Sequence, residues 1–235
     1  MTCIQWRDQI CQKILDGLRA ACDDTVVFTE DFSRPIDAEY LAAVYVAKQI
    51  ATLNTGLGYP LKIYLEMCAE SFKAECTPLL ASVAAANLTG KKLVPRSRTS
   101  IGRSGRIDVA VMRDGELDRV PVCAIEMKAF NPSRARVVAD LRRNAEYFES
   151  GSTGASQIEF VTLAAVRSYY VTESRESKAR KTFEGYAATV PPPSGVNMTV
   201  EVATLRAGSV DEDGQTPQLI AGLITYANSL RTGDA

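Results

Sequence analysis

Residues 122–130 read VCAIEMKAF, an apolar run broken by Glu126 and Lys128 two positions apart. Strand side chains alternate between faces, so Glu126 and Lys128 share one side of the run and Ile125 and Met127 the other. A charged side chain is seldom buried unless it is paired or bound to a metal, because stripping its water costs several kcal/mol. The preceding run GRIDVAV, residues 105–111, poses the same problem with Asp108 between Ile107 and Val109. The turn segment MRDGELDR at 112–119 makes the two runs a hairpin. Asp108 then shares the face of Glu126 only if paired residue numbers sum to an even value, such as 232 or 234. A slip of one residue sends Asp108 to the opposite side.

Two carboxylates and an ammonium on one apolar face call for a reason. A divalent ion between Asp108 and Glu126 offsets their repulsion, and magnesium favours one or two carboxylates, a backbone carbonyl, waters and a substrate phosphate. Lys128 would then orient or deprotonate the metal-activated water and touch the attacked phosphate. The plainer alternative is a half-exposed hairpin with a cross-strand ion pair. The chain has no histidine, which removes Ser-His-Asp and Cys-His nucleophiles, histidine-ligated zinc and histidine-based nucleases.

The segments GRIDVAV and CAIEMKAF, with the helix after them, resemble the core of the PD-(D/E)XK, or restriction-endonuclease-like, nuclease superfamily. The likeness spans roughly residues 91–170 and singles out no subfamily. It implies an α/β fold, a mixed central sheet flanked by helices, here preceded by an N-terminal helical region. It also implies a magnesium-dependent phosphodiesterase in which manganese substitutes for magnesium. Asp108 and Glu126 would be metal ligands, the Met127 carbonyl a third, and Lys128 the catalytic lysine. Ile107 stands where the family's name places proline. The glutamine-x-x-x-tyrosine of one exonuclease branch is here Arg143 with Tyr147. Many members add a glutamate from a helix before the strands, for which Glu75 is the candidate nearest the apolar stripe of its predicted helix. The substrate class implied is nucleic acid, DNA ahead of RNA. A catalytically silent member serving as a nucleic-acid-binding or assembly module is the alternative.

Outward from this core, periodicity predicts helices over 2–22, 36–53 and 61–76, then a three-stranded meander over 91–130 and an amphipathic helix over 134–150. A strand at 158–166, a helix within 172–189, a strand at 198–205 and a last helix over 217–230 complete the chain. This divides it into an N-terminal helical region, residues 1–90, and a nuclease-like core, residues 91–235. Lys91, Lys92, Arg96, Arg98, Arg103 and Arg106 fall together with no acidic residue among them, just before Asp108. They suit a phosphate backbone, with a solvated hairpin rim as the alternative. A second basic group, Arg134, Arg136, Arg142 and Arg143, lies on the helix after the lysine.

The formal net charge of −1 over 235 residues argues against a surface basic throughout, so nucleic-acid contact must be local. Six cysteines without a CxxC pair read chiefly as small core residues in a reducing compartment. The amino terminus lacks the apolar run of a signal peptide, and no stretch reaches the roughly 18 apolar residues of a membrane span. A cytoplasmic protein with no membrane contact is expected, and a homodimer is left open.

Overall fold

In a computed structural model the described residues are 3–29, 39–55, 60–76, 105–115, 119–128, 130–149, 156–171, 175–208 and 216–229. In chain order they form helices α1 (Cys3–Thr29) and α2 (Glu39–Ala51, continued by a 3-10 turn at Thr52–Asn54), strand β1 (Leu61–Cys68) and helix α3 (Ala69–Cys76). Strands β2 (Arg106–Asp114) and β3 (Arg119–Lys128), helix α4 (Arg134–Ala145) and strand β4 (Phe160–Val171) follow. Helix α5 (Glu176–Ala187) and strands β5 (Val196–Ala207) and β6 (Thr216–Asn228) end the described chain.

The strands make one six-stranded sheet in the order β1-β2-β3-β4-β6-β5. Only β3 and β4 are parallel. Parallel neighbours need a crossover, and α4 supplies it. The fold is therefore α/β with a mixed sheet, helices on both faces and a helical N-terminus.

Alternation along the strands divides the core into two layers. Val109, Val111, Cys123, Ile125 and Met127 face one way and meet Ile10, Ile14 and Leu18 of α1 with Val46 and Ile50 of α2. Ala110, Met112, Ala124, Leu163 and Ala165 face the other way, under Phe72 of α3, Val137 and Leu141 of α4, and Phe183 of α5. Cys11, Cys22, Cys76 and Cys123 are buried in these layers, as the sequence predicts, whereas Cys68 is exposed. Burial pushes the Cys11 and Cys22 thiols up to about 12, so both stay protonated near neutral pH.

Gly17 lets α1 and α2 cross closely. A Cβ at that position would lie 2.6 Å from the Val46 Cα, a backbone atom that cannot rotate away. Alanine gains roughly 1 kcal/mol of helix propensity over glycine, but overpacking costs about 1–3 kcal/mol. Gly17→Ala should therefore lower stability, read as a lower denaturant midpoint with an unchanged m-value.

Two segments differ from the sequence expectation. Residues 61–68 form strand β1, and only 69–76 are helical. The stripe Leu61, Leu65, Cys68, Phe72 and Cys76 has helical spacing, yet its first part alternates: Leu61 and Ile63 pack with α1 and α2, and Tyr64 on the opposite face. The last segment is strand β6, not a helix. Its run LIAGLITYA is apolar at every helical angle and equally at every strand face, and periodicity cannot separate the two. Placement between β4 and β5 buries both faces: Leu219, Ala221 and Leu223 on one, Ile220, Ile224 and Tyr226 on the other. The first strand of the expected meander, before residue 105, lies outside the described residues. The described neighbour of β2 on that side is β1.

Candidate functional site

The hairpin register falls on the even sum. Val109 pairs with Ile125, Ala110 with Ala124 and Val111 with Cys123, each pair totalling 234. Continued by one residue, that register sets Asp108 opposite Glu126. The regular pairing of β2 with β3 stops there, and the Asp108 carboxylate replaces it: the Met127 amide donates to Asp108 Oδ2 at 2.6 Å. That amide lies between Glu126 and Lys128 in the chain, so the hydrogen bond fixes the Asp108 carboxylate to the β3 backbone between those two residues. β1 is distorted at the same level. Its pairs with β2 pass from Leu65–Val109 to Met67–Ile107, and the residue omitted, Glu66, has φ 55°. Across this level β2 turns over, with Val109 packed in the α1 and α2 layer and Ile107 in the α3 and α4 layer.

Glu126 is buried at 2% exposure on the side of the sheet covered by α4. Lys128, two residues on, has 14% of its side chain exposed. Its Nζ lies 3.1 Å from Asp140 Oδ2 of α4 and 3.4 Å from Glu39 Oε2 in the first turn of α2. Lys128 thus joins helices from opposite faces of the sheet. Asp140 is buried, and its other oxygen meets Arg143 one turn along α4.

The Asp108 carboxyl is held above the usual carboxylate range. Burial is the main cause; the Met127 amide and Lys128 oppose it, and Glu39 and Glu66 reinforce it.

A pocket of about 320 Å³ opens beside Lys128, lined by Glu39, Phe130, Asn131, Pro132, Ser133 and Arg136. Local sequence builds its floor. Asn131 takes φ 52°, a left-handed conformation that asparagine tolerates. Its amide donates to the Val166 carbonyl and its side chain exchanges hydrogen bonds with Ser168. Ser133 caps α4, accepting from the Arg136 amide at 3.4 Å. The pocket thus lies at the carboxyl end of parallel strands, where open α/β sheets commonly bind ligands.

Glu75 is not brought to this pocket. Its carbonyl accepts from Gln157 Nε2, and the backbone amide of Glu159 just beyond donates to the Val122 carbonyl near the start of β3. At a rise of about 3.3 Å per residue that is about 20 Å along β3 from Lys128. Glu39 supplies the helix-borne acid beside the lysine. Sequence reading passed over it because no local pattern links α2 to β3.

Lys91, Lys92, Arg96, Arg98 and Arg103 lie outside the described residues. Arg106 is exposed at the start of β2, opposite Cys68. On α4, Arg134 bonds Thr189, Arg143 pairs with Asp140, and only Arg136 of the second basic group lines the pocket. Tyr147 is buried edge-on against Phe72 and belongs to the core.

The donors available, carboxylates and a backbone carbonyl, suit a hard cation. Among the described residues no three acidic, cysteine or histidine side chains are grouped tightly enough to hold an ion by themselves. A cation held there would draw most of its ligands from water. No described helix is long and apolar enough to cross a membrane. No family model, no curated protein and no solved structure matches the chain.

Proposed function

We propose that this chain is a magnesium-dependent phosphodiesterase of the restriction-endonuclease-like type, acting on nucleic acid, DNA ahead of RNA. The observation that carries the reading is the Asp108 bond to the amide between Glu126 and Lys128. It joins an acid on one strand to an acid-x-lysine on the next, and the surrounding order α2-β1-β2-β3-α4-β4, interrupted only by α3, supports the resemblance drawn from the sequence.

In this reading Asp108, Glu126 and the Met127 carbonyl hold the ion. When bound, it makes a water more acidic and offsets the charge of the phosphate. Lys128 orients that water and donates to a non-bridging phosphate oxygen. The water oxygen joins phosphorus as one of its protons passes to solvent, the bond to one sugar oxygen breaks, and that oxygen takes a proton from solvent. Glu39 is placed to add a further carboxylate. Glu39→Gln should lower magnesium-dependent turnover about 10–100-fold, less than loss of a principal group, while thermal stability changes little. Initial rates across a magnesium titration would measure this.

The direct test is incubation of purified protein with linear, circular and single-stranded DNA and with RNA, in magnesium, manganese or chelator. Metal-dependent cleavage of any of them supports the reading. The runner-up, a silent nuclease-fold module that binds nucleic acid, draws support from Lys128 being paired with two carboxylates. It predicts salt-sensitive binding with no turnover in either metal.

A further inference from the structure

The proposed chemistry requires a lysine held in one place, yet a lysine side chain is long and flexible and loses about 2 kcal/mol of rotamer entropy when fixed. Lys128 has two acidic partners of different character. Glu39 is partly exposed, with 41% of its side chain open to solvent, and it begins α2. Asp140 has 2% of its side chain exposed, in the middle of α4, on a stripe with Val137, Leu141 and Asn144 that faces the sheet. A buried carboxylate is a poor source of stability, since apolar replacements often do as well. Its place on that stripe therefore calls for a role.

The two oxygens of Asp140 are divided: Oδ2 is ion-paired with Lys128 on the pocket side, and Oδ1 with Arg143 on the partly exposed side of α4. Alone, Asp140 would cancel the charge of Lys128. With Arg143 as third member the row Lys128–Asp140–Arg143 carries one positive charge, which Glu39 on the other side of Lys128 balances.

Resting on the nuclease reading of the site, we propose that Asp140 is the positioning residue for Lys128. It anchors the ammonium at the pocket wall, while Arg143 balances the charge of Asp140. Asp140 touches neither substrate nor ion and acts only through the lysine.

The test uses the full chain with linear DNA and magnesium. Misplacing a catalytic group by about 1 Å costs on the order of 10²-fold. Asp140→Asn and Asp140→Glu should therefore each lower kcat by roughly 10–100-fold and leave KM within about threefold. Asp140→Glu keeps the charge but lengthens the arm, so it serves if the asparagine variant folds poorly. In a Lys128→Ala background, adding Asp140→Asn should lower kcat no further. A merely structural role would lower kcat equally in both backgrounds, and that result overturns the proposal, as does an unchanged kcat in the folded single variants.

A second readout does not depend on cleavage. With lysine labelled at its side-chain nitrogen, the metal-free protein should give a slowly exchanging ammonium signal that is absent in Lys128→Ala and lost in Asp140→Asn and Asp140→Glu. If the wild type cleaves nothing in any metal, the nuclease reading fails. The anchoring claim then stands or falls on whether that signal persists in the Asp140 variants, and its persistence overturns it.

Discussion

Lys128→Ala and Asp108→Asn each lower magnesium-dependent cleavage by about 10²–10⁴-fold, the usual cost of removing a group that acts in the transition state. Their effects on stability differ, and the difference tests the geometry. Lys128→Ala strips one of two cationic partners from Asp140, a carboxylate at 1% exposure, so stability falls as well. Asp108→Asn preserves an oxygen that can accept from the Met127 amide. Asp108 is held above its ordinary range chiefly by burial, so its ionisation costs the folded state stability. That cost is absent below the unfolded acid's range near pH 4, appears as pH rises toward the folded value, and is complete above it. In chelator, Asp108→Asn should match wild type at low pH and exceed it by about 0.5–1 kcal/mol at neutral pH, typical of removing strain from a functional site. Thermal unfolding of both proteins from pH 3 to 8, beside cleavage assays in magnesium, measures both halves. A variant inactive and less stable at neutral pH would mean that Asp108 contributes through its charge to folding, and the proposed site would lose its first ligand.

Gly222→Ala should cost about 1–3 kcal/mol, from overpacking alone. Gly222 lies in β6, between Ala165 of β4 and Val202 of β5. A Cβ there would stand 2.2 Å from Cε2 and 2.3 Å from Cδ2 of Phe183, a fully buried ring of α5. Ring and backbone are in contact, so the Phe183 ring, with α5 behind it, must shift to admit a methyl group. For a chain of this size each kcal/mol lowers Tm by about 2–4 °C. Phe183→Leu in the same protein frees part of that space. The double variant should therefore lose less than the sum of the two single changes, a coupling expected of residues in contact. Strict additivity would show that the ring does not rest on Gly222.

The hairpin was legible because its cues are local. Alternation in GRIDVAV and CAIEMKAF, the glycine turn at 115, and the Asn131-Pro132-Ser133 stop fix β2, β3 and the start of α4 within a short span of chain. Register parity could be posed as a question from sequence; the pairing of Val109 with Ile125 gives the even sum, but β2 turns over between Val109 and Ile107, so parity does not carry through to Asp108. β1 was not legible, because its partner β2 begins some 40 residues later and no local signal announces a pairing at that distance. β6 was hidden for the opposite reason: its apolar residues, rich in leucine and alanine, satisfy helix and strand alike, and only neighbours on both edges decide. Within the site, Asp140 had a readable signal, a charge on the stripe Val137, Leu141 and Asn144. Glu39 had none, since its meeting with Lys128 spans 89 positions. Glu75 was selected by its angle on a helix that was expected to start eight residues too early, and the true helix carries it to the other end of β3.

The Met127 amide has a wider consequence. Its hydrogen is held by a side chain whose charge changes with proton or ion binding, whereas its neighbours along β3 are tied to backbone carbonyls indifferent to either. Deuterium uptake at that single peptide group should therefore rise and fall with occupancy of Asp108, a native gauge of ligation that needs no label and no substrate.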